Sequence, residues 1–138
     1  MQIVGIGNAI IDVICKVSDK FLLEHSLTKS TMKLIDENQF KKLLLNLNIE
    51  QTVSGGSVAN SIVGIAQLGC EVGFIGKVSD DEFGKKYEIG LKKEKVKFLY
   101  SKKKEILPTG TCLVFITPDY ERTMCTFLGI AGKINEKD

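Results

Sequence analysis

The sequence predicts an α/β fold built on a mainly parallel sheet. Three observations carry this. Segments rich in Ile and Val alternate with segments of helical periodicity, a Ser-Gly-Gly-Ser turn at 54–57 runs straight into an amphipathic stretch, and a late pair of β-rich segments is separated by Pro118-Asp119. Strands that alternate with helices favour a parallel sheet. The late pair, joined by a turn, adds an antiparallel hairpin.

Each element follows in order. Ile3 to Gly7 and Ile10 to Val17 have strand composition, and Gly5, Gly7 and Asn8 mark a bend or a close backbone approach between them. Phe21 to His25 predicts a short helical turn, and Thr31 to Ile35 a strand. Asp36 is placed as an N-cap with Gln39 three residues on, followed by Phe40, Leu43, Leu44 and Leu47 at helical spacing. After the glycine-rich turn, Val58, Ala59, Ile62, Val63 and Ala66 form the apolar face of a second helix, which Gly69 ends. Val72 to Val78 is a further buried strand. Asp80 and Asp81 suit the positive end of the next helix, which carries Phe83, Tyr87 and Leu91 on one face. Thr111 to Thr117 and Arg122 to Leu128 form the hairpin. No internal repeat or low-complexity linker interrupts this pattern.

At 138 residues the chain suits one domain, able to bury a core without disulfide or metal staples. Nineteen basic residues against seventeen acidic give a net charge of +2, too weak a field for an electrostatic nucleic-acid binder. The four cysteines, Cys15, Cys70, Cys112 and Cys125, form no C-x-x-C pair. With a single His they complete no zinc set, and their apolar neighbours suggest small buried hydrophobes with reduced, cytoplasmic thiols. Gln51 to Cys70 is uncharged but carries Gln51, Ser54, Ser57, Asn60, Ser61 and Gln67, so no membrane span is expected. The N-terminus lacks a basic n-region and is not read as a secretory signal.

Several segments bear on chemistry. Asp12 sits among Ile10, Ile11, Val13 and Ile14, where an ionised carboxylate without partners is costly. Either it emerges into solvent at a strand end, or it lies in a cleft and accepts hydrogen bonds, as two hydroxyls of a sugar would supply. Ser54-Gly55-Gly56-Ser57-Val58-Ala59-Asn60 brings backbone close to a ligand at a helix N-terminus, where N–H donors are unpaired. The plainer reading is a turn with Ser54 or Ser57 as the N-cap. Asp80-Asp81-Glu82 lacks the spacing of a calcium loop and reads as a helix start. The lysine-rich stretch 85–104 reads as a solvated face. Gly129-Ile130-Ala131-Gly132-Lys133 is not a P-loop, since Ile134 follows the Lys. One isolated His25 supports no catalytic triad.

Four blocks in order, Gly7-Asn8-Ala9-Ile10-Ile11-Asp12, Gly55-Gly56-Ser57-Val58-Ala59-Asn60, Gly76-Lys77-Val78-Ser79-Asp80-Asp81-Glu82-Phe83-Gly84 and Pro108-Thr109-Gly110-Thr111-Cys112, resemble the N-terminal half of the ribokinase-like (PfkB) carbohydrate kinases. The Asn8-to-Asp12 spacing, Ser57 after the glycine pair and Pro-Thr-Gly-Thr-Cys look like the adenosine-kinase-type branch. The resemblance implies a central, mainly parallel sheet flanked by helices, with residues 1–138 forming the N-terminal part of the kinase domain. It implies a small β lid drawn from about 29–36 and 97–128. It implies that Asp12 binds ribose hydroxyls, that Asn8 lines the same site, and that Gly55, Gly56, Ser57 and Asn60 complete a sugar or nucleoside pocket.

The family's catalytic Asp, in a Gly-Ala-Gly-Asp block near the C-terminus, has no counterpart: Gly129-Ile130-Ala131-Gly132 is followed by Lys133. The intact family enzyme uses ATP and Mg²⁺. This chain alone is expected to bind neither tightly, to supply no catalytic or metal-binding residue, and to lack activity. A truncated or split gene product with a complementing C-terminal chain, or a homo-oligomer, is expected. The alternative is a non-catalytic binding or interaction module, or a degenerate gene fragment.

Overall fold

The computed structural model describes residues 2–45 and 47–138. Among these residues eight strands and four α-helices succeed one another as β1 (Gln2–Ile6), β2 (Ile10–Lys16), α1 (Asp19–Glu24), β3 (Met32–Leu34), α2 (Glu37–Leu44), β4 (Gln51–Gly55), α3 (Ser57–Gln67), β5 (Glu71–Ile75), α4 (Glu82–Lys93), β6 (Lys97–Phe98), β7 (Gly110–Ile116) and β8 (Arg122–Phe127). A 3-10 turn follows at Gly129–Lys133.

The predicted α/β class holds, divided between two sheets. Strands β1, β5 and β6 form a parallel sheet in the order β1-β5-β6, with α4 as the crossover between β5 and β6. Parallel neighbours require such a crossover. The second sheet has the order β3-β8-β7-β2-β4. In it β2 pairs parallel with β7 and antiparallel with β4, and β8 pairs antiparallel with β7 and parallel with β3. Of the segments named for a lid, 32–34, 110–116 and 122–127 lie in this second sheet, while 97–98 lies in the first.

Helix ends follow local chemistry. Asp36 accepts from the Gln39 amide at 2.8 Å while the Gln39 side chain takes the Asp36 N–H, a complete capping box. Helix α3 ends in a Schellman motif: Gly69, at φ +88, donates to Ala66 O, and Cys70 donates to Ile65 O. Around the hairpin turn, Lys29 reaches Asp119 Oδ2 at 2.6 Å, and this bond, helped by the Thr117 hydroxyl, pulls the Asp119 carboxyl down to about 2.

One core lies between the parallel sheet and helices α3 and α4, built on Phe74, Tyr87, Leu91, Ile62 and Ala59. A second lies between one face of the five-stranded sheet and α2, built on Val13, Leu113, Phe115, Phe40 and Phe127. Helices cover only one face of the parallel sheet. On the other, Val4 is 52% exposed, Ile6 64% and Leu99 50%. Cys15, Cys112 and Cys125 are buried as expected, but Cys70 is exposed, because the helix stop at Gly69 turns it outward from the core.

Two segments that the sequence singled out separately are joined here. Asp81 caps α4 through Gly84 N at 2.7 Å, and the same carboxylate accepts from Thr109 N at 2.9 Å and Thr109 Oγ1 at 2.7 Å. Thr109 is fully buried and its hydroxyl also accepts from Ser79 N at 3.1 Å. Asp36→Ala removes a cap only and is expected to cost about 1 kcal/mol. Asp81→Ala also strands the buried Thr109 N–H and leaves its hydroxyl only the long 3.5 Å bond to Ser79 O, so its loss is expected to be larger, about 2–4 kcal/mol. Urea unfolding of the two variants checks the order, and equal losses would mean that the Thr109 bonds contribute nothing.

Candidate functional site

The site begins with Asp12 in the middle of β2. Alternation along the strand puts Ile10, Asp12 and Ile14 on the face of the five-stranded sheet that α2 does not cover. Asp12 lies in register with Val53 on β4 and Cys112 on β7, and Cys112 in turn with Thr126 on β8. Partial burial raises the Asp12 carboxyl above the ordinary carboxylate range, and no hydrogen bond from a described residue offsets this. Asp12 thus lies in mid-strand on an open cleft rather than at a strand end, and it accepts no hydrogen bond from a described residue.

The glycine pair has a separate reason at each position. A Cβ on Gly55 would fall 2.6 Å from Asp12 Oδ2, so only Gly leaves room for the carboxylate. Gly56 has φ +97, and a Cβ there would fall 2.5 Å from Asn8 O. It needs both the left-handed backbone and the missing side chain. Gly56, not Ser54 or Ser57, is the N-cap of α3, and no side chain caps that helix. Ser54 is occupied instead in donating its hydroxyl to Tyr87 O at 2.9 Å.

Asn8, Asp12, Gly56 and Ser57 line one open cleft of about 570 Å³, together with Ile10, Met32, Cys112 and Thr126. Asn8 reaches it from the 7–9 link between β1 and β2, and Ser57 from the first turn of α3. Gly55 lies against the Asp12 carboxylate. Asn60, one turn into α3, lines a neighbouring cleft between α3 and α4. Cys112 and Thr126 enter from strands that sequence reading did not connect to Asp12. Cys112 closes a quoted motif, but only the β2–β7–β8 register aligns both residues with the carboxylate. Burial, then the neighbouring Asp12 charge, push the Cys112 thiol up to about 11 against a bond with Thr126 that lowers it.

Tyr87 is a further residue the sequence placed only in a helix face. It is fully buried and donates its hydroxyl to Gly55 O at 3.1 Å, fixing the glycine on which Asp12 rests. Burial and the Asp12 charge raise its phenol, which keeps it a donor.

The cleft therefore sets an acceptor carboxylate opposite the uncapped end of a helix that offers N–H donors. This pairing suits a polyol, whose hydroxyls both donate and accept. Among the described residues no three His, Cys, Asp or Glu converge, and the acids at 80–82 are engaged with Lys85, with the α4 cap and Thr109, and with Lys86. Among the described residues no helix is long and apolar enough to cross a membrane.

Comparison with known proteins shows the family. The profile of the pfkB family carbohydrate kinases matches residues 2–138, and the chain belongs to that family. It is similar to the adenosine kinase of Sinorhizobium meliloti, at 33% identity and a TM-score of 0.85, covering 99% of this chain and 42% of that one. A probable sugar kinase from Rhizobium etli CFN 42 matches at 32% identity and a TM-score of 0.85, with the same coverage. A fructokinase of Escherichia coli is 45% identical over 74 residues, which is 54% of this chain and 24% of that protein. The chain thus spans about two-fifths of the length of those solved kinases.

With only Cys70 exposed, a thiol reagent at pH 8 is expected to label one cysteine rapidly in the folded chain, and Cys70→Ser to remove that reaction. Cys112, held protonated by its raised value, should react only slowly until the pH nears 11. Mass spectrometry of the labelled chain checks this, and rapid Cys112 labelling at pH 8 would contradict it.

Proposed function

We propose that this chain forms the substrate-binding part of an ATP-dependent sugar or nucleoside kinase of the adenosine-kinase type, with an adenosine-like substrate favoured. Asp12 carries the reading: a half-buried carboxylate, raised by burial and without a donor among the described residues, that the fold supports with Gly55 and Tyr87. It accepts two ribose hydroxyls, while Asn8, Gly56 and Ser57 border the same cleft; Asn60, expected in this pocket, lies on the neighbouring cleft instead. The strands at 32–34, 110–116 and 122–127 serve as the lid sheet over the sugar.

Enzymes of this family use ATP, generally with Mg²⁺. Transfer of a phosphoryl group to a hydroxyl rests on positioning and on charge stabilisation. This chain's residues supply the positioning of the acceptor. Its sequence holds no Gly-Ala-Gly-Asp block for the base, and among the described residues its acids form no metal cluster. The C-terminal portion of such a kinase would cover the open face at Val4, Ile6 and Leu99, since parallel sheets are buried on both sides.

Isothermal titration with adenosine, ribose and fructose tests the reading. Saturable adenosine binding is expected, weakened about ten-fold or more in Asp12→Asn. Binding of adenosine should also fall as the pH drops, beginning above the ordinary carboxylate range, because the raised Asp12 protonates early. Unchanged affinity in the variant would remove Asp12 from the site.

The sign for stability is opposite to that for binding. A raised folded-state value means that the fold favours the protonated form, so this contribution is present at low pH and lost as the pH rises through it. Asp12→Asn is therefore expected to be at least as stable as the parent at pH 7. Thermal unfolding checks this, and a marked loss would give Asp12 a structural role.

A coupled assay should find no ATP turnover above the no-enzyme blank with adenosine and the isolated chain. Turnover well above it would refute the proposal that the base lies elsewhere.

A further inference from the structure

Behind the sugar cleft, across the five-stranded sheet, lies a second cleft of about 510 Å³ between α3, α4 and β4. Thr52 and Ser54 alternate with Val53, the register partner of Asp12, so their side chains point away from the sugar cleft and into this one. Helix α3 presents Asn60, Val63 and Gln67 to it at i, i+3 and i+7, and α4 presents Ile89 and Lys93 at i and i+4.

The polar groups here are unequally used. Ser54 gives its hydroxyl to Tyr87 O, Lys86 is paired with Glu82 at 2.7 Å, and Gln67 donates to Glu94 at 3.2 Å. Among the described residues the Thr52 hydroxyl, the Asn60 amide and the Lys93 ammonium have no protein partner. The half-buried Thr52 hydroxyl and the exposed Asn60 amide and Lys93 ammonium thus border a cleft with apolar sides at Val63 and Ile89. One free ammonium matches one negative charge, and the Glu94 carboxylate in the same lining disfavours a second.

We propose that this cleft is a second binding site, for a small monoanionic carboxylate with an apolar body. The carboxylate pairs with Lys93 and takes hydrogen bonds from Thr52 and Asn60, and the hydrocarbon lies between Val63 and Ile89. The site is separate from the sugar cleft and does not rest on the kinase reading.

Amide-resolved NMR titration of the full chain tests this, with 4-methylpentanoate as the probe and 4-methylpentanamide as its neutral isostere. Saturable shifts are expected at Thr52, Asn60, Val63 and Lys93 with the carboxylate. The isostere should bind about ten-fold or more weakly, and Lys93→Gln should weaken the carboxylate by a similar factor. Lys93 lies in the last turn of α4, and the spectrum of the variant itself reports its fold. Asp12→Asn should leave the carboxylate's affinity unchanged. The proposal is overturned by an absence of saturable shifts, by equal binding of the isostere, by an unaltered Lys93→Gln, or by loss in Asp12→Asn, which would place the probe in the sugar cleft.

Discussion

A side chain at position 55 and a carboxylate at position 12 compete for the same volume, with only 2.6 Å between the would-be Cβ and Asp12 Oδ2. The fold resolves this by giving position 55 no side chain. It then holds that residue from behind through the Tyr87 hydroxyl. Antiparallel pairing of β2 with β4 brings the two residues together, and the turn into α3 at Gly56 follows at once. This contact, with the close approach of Gly56 to Asn8 O, ties the link after β1, an edge strand of the second sheet, the start of α3 and the middle of α4 around the same carboxylate.

The cost of this arrangement is visible at Asp12. Half-burying a carboxylate without a donor works against folding, as the raised value records. Structural acids elsewhere in the chain are treated differently. Asp36 caps α2, and Asp81 caps α4 while holding both donors of Thr109. Asp119 is bonded to Lys29 and Thr117. Asp12 stands apart because the cleft leaves it available, which is the expected mark of a group kept for a ligand.

The two sheets carry different burdens. The five-stranded sheet has a core on one face and the open cleft on the other. The three-stranded parallel sheet has α3 and α4 on one face and exposed Val4, Ile6 and Leu99 on the other. The chain spans about 42% of the solved kinases it matches, and one face of its parallel sheet is left uncovered.

By itself the sequence determined the α/β class, most of the elements and several helix ends, though not the start of α3, whose N-cap is Gly56. Those depend on residues three or four positions apart: the Asp36–Gln39 box, the Asp81 cap and the Gly69 stop. It also marked Asn8, Asp12, Gly56 and Ser57, which the structure gathers into one cleft. Tertiary structure alone decided the rest. Strand β4, with its polar Gln51, Thr52 and Ser54, shows little strand character until it pairs with β2, and β6 is only two residues long. The partition into two sheets, the placing of Cys112 and Thr126 beside Asp12, and the position of Asn60 on the neighbouring cleft all follow from register and helix phase. Strand pairing joins residues some hundred positions apart, and hydrogen bonds between main chains do not announce in the side-chain sequence which strand they will join.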